Sequence, residues 1–281
     1  MGFDRIKSFA KINLSLNITG KNSYLHKIES IISFISLHDV ISIETIKLEN
    51  HEISFYGEFS KNIKKNNSIY KLLKILDDKN LLNNQKFRIR IKKKIPLKSG
   101  LGGGSMNAAS ILRYFIKKKI VNLNYKEITK ICKSIGSDVI IGINPSSMVL
   151  TSKNQLSLFS NIKKVYVLIV KPNFGCSTKK IYSQVKTLSK PQLNNPTKKM
   201  FNLDFLKKLD NKLEEIVLLR YSHLSSIKHY LENLSKNELV RMTGSGSALV
   251  VYFKSKKACD NAMRQFKREY KNHWCISSKT I

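Results

Sequence analysis

Acidic residues are few in this chain. Only 19 Asp and Glu stand against 51 Lys and Arg in 281 residues, a formal charge of +32. An excess of that size points first to a nucleic-acid or membrane-surface partner. Yet the lysines run through every segment, Arg is scarce, and Asn and Ile are abundant beside Lys. That is a drift of the whole composition rather than a patch, and no specific nucleic-acid partner is expected. Cysteine is nearly absent as well: Cys132, Cys176, Cys259 and Cys275 stand far apart with no CxxC pair, which excludes a disulfide framework and a cysteine zinc site. The six histidines form no HExxH ligand pair. No apolar run is long enough to span a bilayer. The opening MGFDRIKSFAKINLSLNI carries charges ahead of a short alternating run, without an h-region or a small-residue cleavage site. The expectation is a cytoplasmic protein with reduced thiols and no membrane partner. With 42% hydrophobic residues, the chain is able to bury one large core or two smaller ones.

Glycine is also sparse, with twelve in the chain, so the clustering of Gly100, Gly102, Gly103 and Gly104 within KIPLKSGLGGGSMNAAS is informative. Glycines let backbone N–H groups converge without a Cβ in the way, and a helix start adds unpaired donors and the positive end of its dipole. Ser105 is the expected N-cap. Ala108, Ala109, Ile111, Leu112, Phe115 and Ile116 supply a face to pack on a sheet. A plain flexible loop is the alternative, and a helix following directly on four glycines argues against it. The stretch is no Walker A loop, because Ser105-Met106 rather than Lys-Ser follows the last glycine, and its spacing gives no GxGxxG.

Along the chain, Ile6 to Ile18 alternates as a strand, with Ile12, Leu14, Leu16 and Ile18 on one face and Lys11, Asn13, Ser15 and Asn17 on the other. The polar row suits either a cleft or a solvated face. Residues 25–35, 40–46 and 53–59 read as further strands, 66–68 as an N-cap region before a helix, and Phe87 to Ile95 as the strand feeding the glycine loop. Tyr125 to Ser134 reads as a helix ending at Gly136-Ser137-Asp138, before apolar Val139 to Ile141. An acid at the edge of a buried run is either a cap or a group with a task. Val165 to Val170 is a strand, Thr178 opens a helix, and Pro191 to Lys199 is a polar connector that allows a domain boundary near it. Phe201 to Leu219 and His223 to Leu234 read as helices. In RMTGSGSALVVYF, Gly244 and Gly246 form a tight loop before a strand, and Ser255 to Tyr270 follows as an amphipathic helix. Alone, such a turn is as well read as a hairpin.

Three motifs in this order, Lys11-Ile-Asn-Leu, Pro96 to Asn107, and Thr243-Gly-Ser-Gly-Ser, resemble the signatures of the GHMP small-molecule kinases across essentially the whole chain. Ala10 to Leu14 with Gly20, His26 and Glu29, and Gly136 to Val139, are similar to the branch that phosphorylates a diphosphocytidyl methylerythritol in the non-mevalonate isoprenoid pathway. The resemblance implies an α+β fold. A first domain like domain 2 of ribosomal protein S5 is assigned to residues 1–160, for ATP binding and catalysis, and a ferredoxin-like domain to residues 161–281.

It also implies roles. Asp138 is the general base that takes the proton of the substrate hydroxyl, and Lys11 lies beside it and stabilises the transferring oxygens. Pro96, Leu97, Lys98, Ser99, Gly100, Leu101, Gly102, Gly103, Gly104, Ser105, Met106 and Asn107 hold ATP, joined by Gly244, Ser245 and Gly246. Mg²⁺ is carried by ATP with Ser105 as a contact, and no other metal ligand is assigned. Asn13, His26 and Tyr182 bind the cytidylated substrate. Two departures stand out: Tyr24-Leu25-His26-Lys27 replaces Gly-Tyr-His-Glu, removing the aromatic that stacks on cytosine, and Ile140-Ile141-Gly142 replaces Pro-Phe-Phe. The alternatives are a kinase of the same family for another small alcohol, and a basic RNA-binding protein.

Overall fold

The computed structural model describes residues 2–21 and 26–281. They form two compact units that interleave along the chain. The first holds the described residues up to Ala10, Leu37–Pro96 and Gly102–Pro145; the second holds Lys11–Ser36, Leu97–Leu101 and Ser146–Ile281. The chain changes unit within β1 (Asp4–Lys21), within β2 (His26–Ile46) and within the glycine loop. A single boundary at residue 160 therefore does not describe the compact units, because two strands of 18 and 21 residues each serve both.

In the first unit the end of β2 pairs antiparallel with β4 (Lys86–Lys92), and β3 (Glu52–Tyr56) lies parallel to β4 on its other side. Strand periodicity places Ile41, Ile43, Phe87, Ile89 and Ile91 in the core. Leu72, Leu73 and Leu76 of α1 (Ser68–Asp78), Ile111, Leu112 and Phe115 of α2 (Gly103–Lys117), and Ile131 and Cys132 of α3 (Tyr125–Ile135) complete it. Helix α1 begins where expected, with Asn67 Oδ1 accepting from the N–H groups of Ile69 and Tyr70. Helix α3 opens on a capping box between Asn124 and Glu127. Helix α2 departs from expectation. It starts at Gly103 with Gly102 as N-cap, so Ser105 is its third residue. Gly102 adopts φ +73°, a left-handed conformation in which glycine carries no Cβ penalty, and it caps the helix three residues ahead of Ser105.

In the second unit β5 (Ser147–Leu150) pairs with the first part of β2 and with β6 (Leu156–Phe159). A four-stranded antiparallel sheet has the order β10 (Trp274–Lys279), β7 (Tyr166–Lys171), β9 (Leu249–Phe253), β8 (Leu239–Met242). Val170, Leu249 and Val251 share one core with α6 (Glu214–Arg220), α7 (Ser222–Glu232) and α8 (Lys256–Glu269). The short helices α4 (Thr178–Tyr182) and α5 (Leu203–Leu206) complete the unit.

Two expectations fail here for one reason, contacts remote in sequence. The helix read over 201–219 is broken, because Leu16 N–H donates to Asp210 O (3.0 Å) and Lys212 N–H to Leu16 O (2.8 Å), turning residues 210–212 into a bridge to β1. The connector 191–199 is no boundary. Glu29, fully buried, accepts from Gln192 N–H (2.8 Å), Leu193 N–H (3.1 Å) and Asn17 Nδ2 (2.9 Å), and Leu193 is itself buried. All four cysteines are free and buried, and burial pushes the thiols of Cys132, Cys176 and Cys275 up to about 11. Among the described residues no helix is long and apolar enough to cross a membrane.

Candidate functional site

The polar row of β1 is buried. Lys11 is 3% exposed, and Asn13, Ser15 and Asn17 are likewise inside, which removes the solvated-face reading. Lys11 Nζ donates to Asn13 Oδ1 at 2.6 Å; Asn13 Nδ2 donates to Ser30 Oγ at 2.8 Å, and that hydroxyl donates to Ser15 O at 2.5 Å. The chain of bonds fixes which way the Asn13 amide faces, and with it the lysine. A buried lysine whose direction is fixed by an amide is a preorganised donor for a developing negative charge.

The first half of the glycine loop and the Gly244 turn are built onto that strand, all within the second unit. Lys11 N–H donates to Leu101 O at 3.1 Å. Thr243 Oγ1 accepts from Asn13 N–H at 2.9 Å and donates to Gly100 O at 3.4 Å. Ser247 and Ala248 N–H groups donate to Lys98 O and Ser99 O at 3.4 and 3.1 Å. Gly100 has φ +78°, and a Cβ there would run into the Thr243 carbonyl. The Thr243-Gly-Ser-Gly-Ser turn does join a hairpin, β8 to β9, as the plainer reading held, yet it also bonds to residues 98–100 of the loop.

Asn211 and Arg241 hold this arrangement from behind, and neither was picked out from the sequence. Asn211 Nδ2 donates to Met242 O and Gly244 O, both at 2.8 Å. The Arg241 guanidinium is buried and donates to the carbonyls of Leu14 (2.6 Å), Leu206 (3.0 Å) and Leu209. Only the adjacency of Arg241 to the motif hinted at its part; Asn211 lay inside an apparently helical stretch.

In the first unit lie Gly102 to Asn107 and Asp138. The first turn of α2 has no side-chain cap, so its leading N–H groups face outward as donors. At Gly104 a Cβ would find only Ser68 Oγ, 3.9 Å away, so the backbone there is open to an approaching group. The Ser105 hydroxyl is half-buried on the same turn. This donor set, amides plus one hydroxyl at the positive end of a helix, fits phosphate oxygens. Asp138 is half-buried in the turn between α3 and the 3-10 turn Ile140–Gly142. Buried Val139 anchors that turn in the core. Gly142 brings it against α2, where a Cβ would stand 2.6 Å from Ala109 Cβ and 3.0 Å from Met106 Sδ. The departure from Pro-Phe-Phe thus has a local reason at Gly142.

His26 and Tyr182 meet in the second unit, their ring centroids 5.3 Å apart and tilted by 45°. Burial, and then the charge of Lys21, keep the imidazole below its ordinary pKa, and a neutral ring is suited to stacking and to hydrogen bonding with a base. Tyr24 and Leu25 lie outside the described residues. Among the described residues no group of three or more His, Cys, Asp or Glu is placed to hold a metal ion.

The model of the GHMP kinases N terminal domain matches residues 67–148. A 4-diphosphocytidyl-2-C-methyl-D-erythritol kinase of Pelagibacter ubique (strain HTCC1062) is 56% identical over 277 residues, 99% of either chain. A second, from Clostridium tetani (strain Massachusetts / E88), is 34% identical over 288 residues, 99% of this chain and 100% of its own. A crystal structure of 4-(cytidine 5'-diphospho)-2C-methyl-D-erythritol kinase matches with a TM-score of 0.79 at 18% identity over 99% of each chain. The L. major mevalonate kinase in complex with R-mevalonate follows the same fold at TM-score 0.72 and 13% identity, over 99% of this chain and 97% of its own.

Proposed function

The chain belongs to the 4-diphosphocytidyl-2-C-methyl-D-erythritol kinases, within the GHMP kinases, and from that premise we propose that it transfers the γ-phosphoryl group of ATP to the tertiary 2-hydroxyl of 4-diphosphocytidyl-2-C-methyl-D-erythritol, in the non-mevalonate route to isoprenoid precursors. The observation that carries the reading is identity of 56% from end to end with a kinase of that name. A cytoplasmic setting is part of the proposal, since ATP is the donor.

Each residue then has a task. Asp138 receives the proton of the acceptor hydroxyl as its oxygen bonds to the γ-phosphorus and the bridge to the β-phosphate breaks, releasing ADP. Lys11, oriented by Asn13, stabilises the charge on the transferring oxygens. The N–H groups at the start of α2 and the Ser105 hydroxyl hold the nucleotide phosphates, and Pro96 to Leu101 and Gly244, Ser245 and Gly246 are assigned to ATP as well. Mg²⁺ would neutralise phosphate charge, carried by the nucleotide, with Ser105 as the ligand that the chain offers. Asn13, His26 and Tyr182 take the cytidylated substrate, and the paired rings of the last two supply the stacking face for cytosine.

Asp138→Asn tests the assignment of the base. Turnover should fall by about a thousandfold or more, in the upper range for general-base removal, while ATP affinity stays within about twofold. A variant that keeps near-normal turnover would remove Asp138 from the chemistry.

A further inference from the structure

We infer that Asp39 is a nucleotide-positioning residue, acting through Lys93 and the end of β4 on the start of α2; the inference rests on the reading of that helix start as the phosphate site. All of these residues belong to the first unit. Asp39 is fully buried, one residue before Val40, which pairs with Lys92 at the last rung of the β2–β4 ladder. Beyond that rung the β4 chain leaves the ladder, and its next amides need new acceptors. Lys93 N–H finds Tyr56 O at 2.7 Å. Asp39 supplies the others: its Oδ1 accepts from Lys94 N–H at 2.7 Å and Ile95 N–H at 2.9 Å, and its Oδ2 accepts from Lys93 Nζ.

The grip delivers two side chains to Gly103, the first residue of α2. A Cβ on Gly103 would stand 3.1 Å from Ile95 Cγ2 and 3.4 Å from Lys93 Nζ. Lys93 is 3% exposed, and an ammonium has three N–H donors. Asp39 takes one, and the remaining two meet no hydrogen-bond acceptor among the described residues. Two sets of unspent donors therefore adjoin one another, the leading amides of α2 and a buried ammonium. A phosphate oxygen is the acceptor whose charge suits both.

The carboxylate has two separable functions in this arrangement. Its Oδ1 organises backbone, which an amide oxygen in the same place also does. Its charge keeps a buried lysine paired, and the lysine in turn gives positive charge to the helix start. Asp39→Asn keeps the first and removes the second. The double variant D39N/K93M leaves no charge to pair, and buried pairs replaced by neutral groups of similar size are commonly tolerated by a fold.

The experiment measures thermal stability and the KM values for ATP and for the cytidylated alcohol in wild type, D39N and D39N/K93M. For D39N, ATP KM should rise about tenfold while KM for the alcohol stays within about twofold, the split expected of a residue that serves one substrate. D39N/K93M should regain thermal stability yet keep the raised ATP KM, because the ammonium is gone. Return of both stability and ATP KM to wild-type values in the double variant would make the pair a structural tie only and overturn the inference. So would an equal change of both KM values in D39N. Should D39N not fold, the double variant decides alone. Should neither fold, amide exchange in the wild type decides: ATP should slow it at Lys94 and Ile95, and unchanged rates there would overturn the inference. Absence of any ATP turnover or binding in the wild type would instead overturn the kinase reading.

Discussion

At Gly100 a Cβ would strike the Thr243 carbonyl and come within 3.3 Å of Gly246 N, whereas at Gly104 the same atom would meet only Ser68 Oγ at 3.9 Å. Gly100 has φ +78°, while Gly104 sits in the first turn of α2 with ordinary helical geometry. The two glycines lie four residues apart in one motif and belong to different compact units. One is needed because protein backbone fills the space beside it. The other leaves its space open and its amides unspent. A glycine-rich loop is thus two devices in sequence, a closed joint from Leu97 to Leu101 and an open cradle from Gly102 onward, and a motif written as a run of glycines does not separate them.

Substitution breaks that comparison most sharply at the closed end. Gly100→Ala must relieve a backbone collision as well as a left-handed φ, and should destabilise the protein by about 3 kcal/mol or more, seen as a large drop in the denaturation midpoint. Unaltered stability would mean that the 98–100 and 243–248 segments part without penalty. At the open end the signs reverse. Gly104→Ala should leave stability unchanged or raise it by about 0.4–1 kcal/mol, since alanine favours a helix, and should still weaken ATP binding about tenfold or more because a methyl stands where a phosphate approaches. Loss of stability without loss of ATP affinity would merge the two halves into one structural loop.

Much of the fold was legible from periodicity. The alternation of Ile12, Leu14, Leu16 and Ile18 marked β1, Asn67 marked the start of α1, and Ser255 that of α8, where its hydroxyl accepts from Ala258 N–H. What periodicity missed is what long-range contact decides. Ser105 has good N-cap chemistry, but the left-handed Gly102 starts α2 earlier. Residues 201–219 carry a helical pattern, yet the 210–212 backbone is drawn to Leu16 and Asn211 to Met242 and Gly244. The polar row of β1 is the same pattern whether solvated or buried, and only the partners of Lys11 and Asn13 distinguish the two.

The two buried carboxylates of β2 show the same limit. Glu29 and Asp39 lie ten residues apart, each accepting three hydrogen bonds; Glu29 stood out only as part of the motif resemblance, and Asp39 did not stand out at all. Glu29 is satisfied by neutral donors that fasten residues 192–193, whereas Asp39 is satisfied by a lysine and two amides beside the glycine cradle. Burying an acid demands such partners in either case. Where the partner is itself a charged side chain, as Lys93 is, the buried acid also fixes where that second charge stands.

The most direct measurement is ATP-to-ADP conversion by the purified chain with 4-diphosphocytidyl-2-C-methyl-D-erythritol, beside the same alcohol lacking the cytidine moiety. The account predicts turnover with the cytidylated compound alone. Turnover with the bare alcohol, or with neither, would contradict it.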